Sequence, residues 1–126
     1  MEVKFYYCED CENIVIAMKE SGVPMKCCGR PMIELRPKAL SAAAEKHLPV
    51  LHMDGAQAVV TVGAAEHPMV SNHFIEWIAL QTKKSVQYRP LSPDQPPRQT
   101  FRLCEGDTVE AVYAFCNLHG LWKLQN

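Results

Sequence analysis

Four cysteines near the N-terminus constrain the possible fold of this 126-residue chain more than any other feature. They form two pairs: Cys8 and Cys11 are separated by two residues, and Cys27 and Cys28 are adjacent. A segment of roughly 36 residues cannot bury enough apolar surface to fold alone. A bound metal would replace the missing core, and four thiolates suit either zinc or iron. Residues 1–36 are therefore predicted to form a small module around one metal ion.

Three disulfide bonds are the competing use of the six cysteines. The segment Met1–Phe5 lacks the charged and apolar regions of a signal peptide, so a cytoplasmic location is expected. In a reducing compartment, metal binding is favoured over disulfides. A bond between the adjacent Cys27 and Cys28 would also require a strained ring. Metal binding is therefore the predicted use of the N-terminal cysteines.

Charge and hydropathy exclude two classes of partner. The formal net charge is −1, which gives no bulk attraction to nucleic acid or to an anionic membrane surface. No apolar run in the sequence approaches the ~20 residues that a membrane-spanning helix needs. Neither nucleic acid nor a membrane is therefore expected as a partner.

A second set of possible metal ligands lies in the rest of the chain. Cys116 and His119 are three residues apart, the reach of a tight turn, and Gly120 follows them. A sulfur ligand beside a nitrogen ligand selects transition metals over magnesium or calcium. In such a turn the amides of Leu118 and His119 can point at the Cys116 sulfur and moderate its electron donation.

Three further histidines precede this turn. His67 and His73 are six residues apart, and in an extended strand they would be separated by ~20 Å. Joint binding of one metal therefore predicts a curled loop between two strands, which suits the intervening Pro68. His47 follows Glu45 and Lys46 on a loop or arm that could lie over a metal.

Short strand-like segments separated by turn signals predict an all-β fold after about residue 47. Pro90 and the prolines up to Pro97 predict a long loop that cannot pair in a ladder. Residues 38–46 have helix propensity, although a single turn or an irregular arm fits equally well. The expected strands are Val3–Tyr7, Ile14–Ile16, Gln57–Gly63, Phe74–Thr82, Ser85–Arg89, Arg98–Leu103, Thr108–Phe115 and Leu121–Leu124.

The two ligand sets, in this order along the chain, resemble those of desulfoferrodoxin, the two-iron superoxide reductase family. The adjacent Cys27 and Cys28 are similar to the desulforedoxin-type iron site, whereas zinc ribbons usually use two Cys-x-x-Cys pairs. This favours iron over zinc. The resemblance implies a desulforedoxin-like module in residues 1–36, followed by a catalytic domain in residues 37–126 with an immunoglobulin-like β-sandwich.

The resemblance also implies two irons per chain and the residues that bind them. One iron would be held by Cys8, Cys11, Cys27 and Cys28. The other would have four histidines roughly in a plane and an axial cysteine opposite an open sixth position: His47, His67, His73, His119 and Cys116. The implied activity is one-electron reduction of superoxide to hydrogen peroxide, in a homodimer that takes electrons from a rubredoxin-like donor.

Two residues beside the second ligand set are given roles by the same resemblance. Lys46 would attract the superoxide anion and help to order a proton-donating water. Glu45 would occupy the sixth position of oxidised iron after peroxide leaves. By contrast, His52 and Cys104 match no ligand position. His52 is expected to be an ordinary surface or core histidine, and Cys104 is expected to be a small buried hydrophobe.

Other functions remain open at this point. A rubredoxin-like electron carrier would leave four histidines and Cys116 without a role. A zinc-ribbon interaction module would need a basic or aromatic face, of which the near-neutral chain gives no sign. The residues also leave open some superoxide dismutase activity, and whether the four-cysteine iron relays electrons, stores one or only holds the fold.

Overall fold

The computed structural model describes residues 2–39 and 44–126, and the chain divides into two compact units, Met1–Arg36 and Pro37–Asn126. Nearly all regular structure in the described part is β-strand, with one helical turn, α1, at Ala44–His47. This confirms the predicted all-β class. No helix in residues 2–39 or 44–126 is long and apolar enough to span a bilayer.

The first unit has two small antiparallel ladders and little core. Its three-stranded sheet has the order β2-β1-β5, and a separate two-stranded ladder joins β3 to β4. Phe5 and Cys8 are the buried apolar side chains among the described residues of this unit. The strands are β1 (Phe5–Tyr7), β2 (Ile14–Ile16), β3 (Lys26–Cys27), β4 (Arg30–Pro31) and β5 (Ile33–Leu35).

The second unit consists of two antiparallel sheets whose inner faces form the core. One sheet has the order β10-β7-β6 and the other has the order β12-β11-β8-β9. Along β7 buried and more exposed residues alternate, as expected for a strand with one face on the core. The strands are β6 (Pro49–Asp54), β7 (Gln57–Val62), β8 (Ile75–Thr82), β9 (Val86–Pro90), β10 (Arg98–Arg102), β11 (Val109–Cys116) and β12 (Gly120–Gln125).

The core side chains come from both sheets. Val60 and Phe101 on one sheet are fully buried with Ile78, Leu80 and Val112 on the other. β8 and β11 are buried along almost their whole length because each lies between two other strands. Both strands reach the ligand-bearing loops, since β8 begins just after His73 and β11 ends at Cys116. The most buried strands of the unit therefore lead into the loops of the candidate site.

The structure corrects the sequence predictions at several strands. β6 is not among the predicted strands, and neither are β3, β4 and β5. The prediction for Pro90 is wrong: it ends β9 and pairs with Trp77. β9 is an edge strand, where a proline loses no hydrogen bond to a neighbour. Of the expected helical segment, Ala44–His47 forms one turn, and residues 40–43 lie outside the described residues.

Candidate metal centres

The four N-terminal cysteines come together in the first unit. Their sulfur atoms all lie within 4.8 Å of one another, and the sulfurs of Cys11 and Cys27 are 3.5 Å apart. None of the six cysteines, all of which lie in described parts of the chain, is in a disulfide. The predicted set Cys8, Cys11, Cys27 and Cys28 is therefore placed as a metal site requires, with Cys8 buried and Cys11 and Cys28 exposed.

A tight backbone turn presents the first cysteine pair. The amide of Glu12 donates to the carbonyl of Cys8 at 2.8 Å, and Glu12 itself has a positive φ of 66°. The backbone N–H groups of Cys11 and Asp10 donate to the Cys8 sulfur. These hydrogen bonds, that of Cys11 first, lower the pKa of Cys8 to about 7. The turn thus favours the thiolate, which is the metal-binding form.

A two-residue hairpin presents the second pair. Cys27 ends β3 and pairs with Arg30 of β4, which leaves Cys28 and Gly29 as the loop. Both loop residues have positive φ, 53° and 76°. A type I′ turn requires this conformation at both central positions, and glycine adopts it without steric cost. The turn therefore explains how two adjacent cysteines can point at one metal.

Polar contacts tie the two turns together. Arg30 donates to both carboxylate oxygens of Asp10, at 2.6 and 3.0 Å, in a two-pronged ion pair. The side-chain amide of Asn13 donates to the Cys27 sulfur at 3.6 Å. Contacts among the clustered thiols, with Cys11 first, raise the pKa of Cys28 to about 12. Without a cation this cluster retains protons that a bound metal would displace, so the donor set fits a metal ion.

A second donor cluster lies at one end of the β-sandwich. The donor atoms of His47, His67, His73 and Cys116 all lie within 4.8 Å of one another. His119 joins them through its Nδ1 atom, which is 3.0 Å from His47 Nε2 and 3.7 Å from Cys116 Sγ. All five residues predicted to bind the second metal are therefore brought together.

The four imidazoles form a closed ring of neighbours. Successive ring centroids are 4.6 Å apart for His47–His67, 4.7 Å for His67–His73, 5.2 Å for His73–His119 and 4.7 Å for His119–His47. Each pair is close to perpendicular, with interplanar angles of 66–79°. The His47–His73 distance is longer, 6.3 Å, which places these two at opposite corners.

The nitrogen spacing in this ring fits a shared metal ion. His47 Nε2 is 3.1 Å from His67 Nε2 and 3.0 Å from His119 Nδ1. Two nitrogens bound at right angles to one metal, with bonds of about 2.1 Å, would be about 3.0 Å apart. Among the described residues, the buried His73 Nε2 has no hydrogen-bond partner. A metal ion would satisfy this atom.

The protonation of His67 also suits metal binding. Its Nδ1 donates to the carbonyl of Pro68 at 2.6 Å, which leaves the Nε2 lone pair directed at His47. Burial lowers the pKa of His67 to about 4, so the ring is neutral at neutral pH. Neutral imidazole is the form that binds metals. The loop before His73 was predicted to curl, and His67 and His73 do share one site.

Cys116 is buried where β11 ends. Residues 117–119 form a three-residue hairpin loop, because Cys116 pairs with Gly120 at the start of β12. The backbone N–H groups of His119 and Leu118 donate to the Cys116 sulfur, as the tight turn predicted. Burial has the larger effect and raises the pKa of the Cys116 thiol. Without a cation the sulfur keeps its proton more strongly than an exposed thiol does.

Glu45 and Lys46 are exposed on α1, next to the buried His47. The backbone of α1 packs on Gly63, which follows β7, and the carbonyl of Glu45 accepts from the amide of Ala65 at 3.1 Å. A Cβ atom at Gly63 would lie 2.6 Å from the Glu45 carbonyl oxygen and 2.7 Å from the Lys46 carbonyl carbon. Only glycine therefore lets α1 place His47 at this depth.

Gly63→Ala is accordingly expected to displace α1 and weaken metal binding at the second centre by roughly 10- to 100-fold, the usual effect of disturbing a residue that orients a ligand. The measurement is the rate of metal loss to a chelator. Gly55→Ala is the control, because Gly55 (φ 61°) has no atom within 4 Å of its Cβ position. It strains the β6–β7 turn without touching α1. Equal metal loss from the two variants would contradict the role given to Gly63.

Sequence reasoning missed two polar residues beside this centre. Lys38 donates from its ammonium to the carbonyl of His119 at 3.0 Å and lies 5.7 Å from the ring centroid of Trp122. Trp122 in turn stacks on His47, with centroids 5.0 Å apart. The side chain of Asn117 is hydrogen-bonded to the backbone on either side of His73, so it connects the two loops that carry ligands. In the sequence, its position between Cys116 and His119 was the feature that could have pointed to this role.

The fold and the two donor sets define a two-centre metalloprotein with a β-sandwich. A family model described as Desulfoferrodoxin matches residues 39–125. The desulfoferrodoxin of Syntrophotalea carbinolica is 39% identical, over 97% of this chain and 95% of that protein. That of Nitratidesulfovibrio vulgaris is 37% identical, over 98% of this chain and 97% of that one. The chain belongs to the desulfoferrodoxin family, as its motifs predicted.

Solved structures agree. A superoxide reductase from Treponema pallidum superposes with a TM-score of 0.84 and 33% identity, and the match covers 98% of both chains. The superoxide reductase (1Fe-SOR) of Giardia intestinalis gives a TM-score of 0.56 and 29% identity, over 65% of this chain and 97% of that one. The predicted fold class is confirmed.

Proposed function

We propose that this protein is a superoxide reductase, which converts one superoxide to one hydrogen peroxide with one electron and two protons. The observation that carries the proposal is the ring of four imidazoles beside the buried sulfur of Cys116. The solved proteins that are similar to this chain include superoxide reductases, which supports the same activity here.

Iron suits both donor sets. Four thiolates bind it at the first centre, and four imidazoles with one thiolate bind it at the second. Zinc would fit the sulfurs as well but has no redox chemistry. When bound at the second centre, ferrous iron supplies the electron that superoxide takes. The five protein donors would hold the iron, and a small ligand such as superoxide could bind to it in addition.

The chain's own residues would prepare this centre in three ways. The Cys116 sulfur donates electron density, and the N–H groups of Leu118 and His119 moderate it. The exposed ammonium of Lys46 attracts the superoxide anion and helps to hold a water that delivers a proton. The exposed carboxylate of Glu45 would be a ligand of the oxidised iron once peroxide has left.

Product stoichiometry tests the proposed reaction. The iron-loaded, reduced protein is exposed to pulses of superoxide without an electron donor, and hydrogen peroxide and oxidised second centre are counted. A reductase gives one peroxide and one oxidised centre for each superoxide consumed. A dismutase gives one peroxide for every two superoxides once it cycles, and the share of oxidised centre then stays constant however much more superoxide is added. The second result would overturn the proposal.

Lys46→Ala is expected to slow the reaction with superoxide by about 10-fold or more at low salt and to flatten its salt dependence, because the attractive charge is gone. Pulse radiolysis at several ionic strengths measures both effects. Lys83→Ala removes the same charge from the exposed β8–β9 turn and is the matched control. Glu45→Ala should keep the wild-type rate and change only the spectrum of the oxidised state. If Lys46→Ala keeps the wild-type rate and salt dependence, Lys46 is an ordinary surface lysine that does not attract superoxide to the centre.

The proposal extends to organisation and partners. Residues 1–36 would be the desulforedoxin-like module and residues 37–126 the catalytic domain, which matches the division into two compact units. A rubredoxin-like electron donor and a homodimer are supported by the family resemblance. A reducing, cytoplasmic compartment is part of the proposal, because cysteines that bind metal must stay reduced.

A further inference from the structure

Two separate loops carry neighbouring ligands of the second centre, and one side chain joins them. His73 lies on the loop before β8, whereas Cys116 ends β11 and His119 lies in the loop that follows it. The side-chain oxygen of Asn117 accepts from the amide of Phe74 at 3.0 Å. Its side-chain nitrogen donates to the carbonyl of Asn72, also at 3.0 Å.

These two hydrogen bonds lie on either side of His73 in the sequence. They use both ends of the Asn117 amide, so the side chain is fixed in one orientation relative to the His73 backbone. In a third hydrogen bond, the backbone N–H of Asn117 donates to the carbonyl of Phe74 at 3.3 Å. The His73 backbone is therefore held at both neighbours by the residue that follows Cys116.

The side chain of Asn117 makes these hydrogen bonds at the point where the regular pairing of β11 with β8 ends. The pairing of β11 with β8 is regular from Ala111 opposite Gln81 to Phe115 opposite Trp77, and then shifts register before Cys116 opposite Ile75. Beyond this shift, the amide of Ile75 donates to the Met69 sulfur at 3.4 Å instead of to a ladder carbonyl. Past the shift, the two strands are joined by the pairing of Cys116 with Ile75 and by the backbone bond from Asn117 to Phe74, and the Asn117 side chain adds the two contacts on either side of His73.

We propose that Asn117 is a positioning residue for the second metal centre, which holds His73 in register with Cys116 and His119. The inference rests on the iron site of the proposed function but concerns its construction and not the reaction. A ligand loop that is released can rotate or withdraw its imidazole, and partners that orient ligands typically account for 10- to 100-fold in metal affinity.

The test uses the full chain loaded with iron. Asn117→Ala removes both side-chain hydrogen bonds. Asn117→Asp keeps the shape and the acceptor for Phe74 but places an oxygen against the Asn72 carbonyl. Asn72→Ala is the matched control, because it removes an exposed amide side chain from the other loop and keeps the carbonyl that accepts from Asn117.

Three readouts that do not depend on superoxide separate positioning from simple stability. They are the rate of iron loss from the second centre to a chelator, the sulfur-to-iron absorption of the oxidised centre, and the thermal unfolding temperature. Both Asn117 variants are expected to lose iron roughly 10- to 100-fold faster and to show a shifted absorption band. Asn72→Ala should behave as wild type in all three.

Several outcomes would overturn the proposal. One is an unchanged rate of iron loss and an unchanged band in the Asn117 variants. Another is a lower unfolding temperature with a wild-type band and iron loss, which would make Asn117 a structural residue only. If Asn72→Ala has equal effects, the hydrogen bonds of the Asn117 side chain are not what positions His73. If Asn117→Ala does not fold, Asn117→Asp decides, because it retains the side-chain volume.

Discussion

Replacement of Cys116 by serine is expected to abolish superoxide reduction and to leave the four-cysteine centre intact. Cys116 is the one sulfur among the five donors placed at the second centre. A serine oxygen is a harder and weaker donor than a thiolate, and a buried hydroxyl does not lose its proton at neutral pH. The centre would therefore lose both the charge and the electron donation that the thiolate supplies.

Two measurements check this expectation. Pulse radiolysis gives the rate at which the reduced variant consumes superoxide, and the absorption spectrum of the oxidised protein reports sulfur bound to the second iron. Cys104 belongs to neither donor set, and it is exposed, so the expectation that it is buried was wrong. Cys104→Ser makes the same chemical change there and should match wild type. Near-normal turnover by Cys116→Ser would exclude Cys116 from the mechanism.

The ligand sets could be predicted from sequence because their spacing limits the backbone. His67 and His73 share a metal only if the chain curls between them, and Cys116 and His119 only if it turns tightly. Both features are present. The family resemblance added the identity of the fourth histidine, His47, which no local spacing connects to the others.

Two physical causes explain why sequence reasoning missed β3, β4 and β6. β6 opens on Pro49, and β4 contains Pro31, so each carries the residue that usually argues against a strand. Prolines are tolerated at these places because an edge strand, or the first residue of a strand, does not need every N–H. β3 and β4 have two residues each and too little pattern for periodicity to detect.

The residues that support the ligands could not be predicted because their partners are distant in sequence. Asn117 contacts backbone groups 43 and 45 residues away, and Lys38 contacts a carbonyl 81 residues away. Nothing in the composition of either segment identifies such a partner. Gly63 is similar, since its lack of a side chain matters only where α1 packs on it.

Removal of metal from the four-cysteine centre is expected to unfold the first unit and to leave the second folded. The strands of this unit are only two or three residues long. In its described part the buried apolar side chains are Phe5 and Cys8, so the unit has almost no core. In zinc-finger peptides, the structural zinc contributes about 10–16 kcal/mol of binding energy, which is also folding energy, and a metal ion held by four cysteines is expected to act here in the same way. The second unit has its own core, formed by both sheets.

Cys11→Ser tests this directly, because Cys11 is exposed and its replacement removes a ligand without removing a buried contact. Hydrogen exchange of the full chain should show lost protection across residues 2–36 and unchanged protection across 44–126. The spectrum of the second centre should also be unchanged, and Cys104→Ser, again an exposed cysteine, should alter neither. If residues 2–36 keep their protection in Cys11→Ser after chelation, the unit is held by its own short strands and by the Asp10–Arg30 ion pair, and not by the metal.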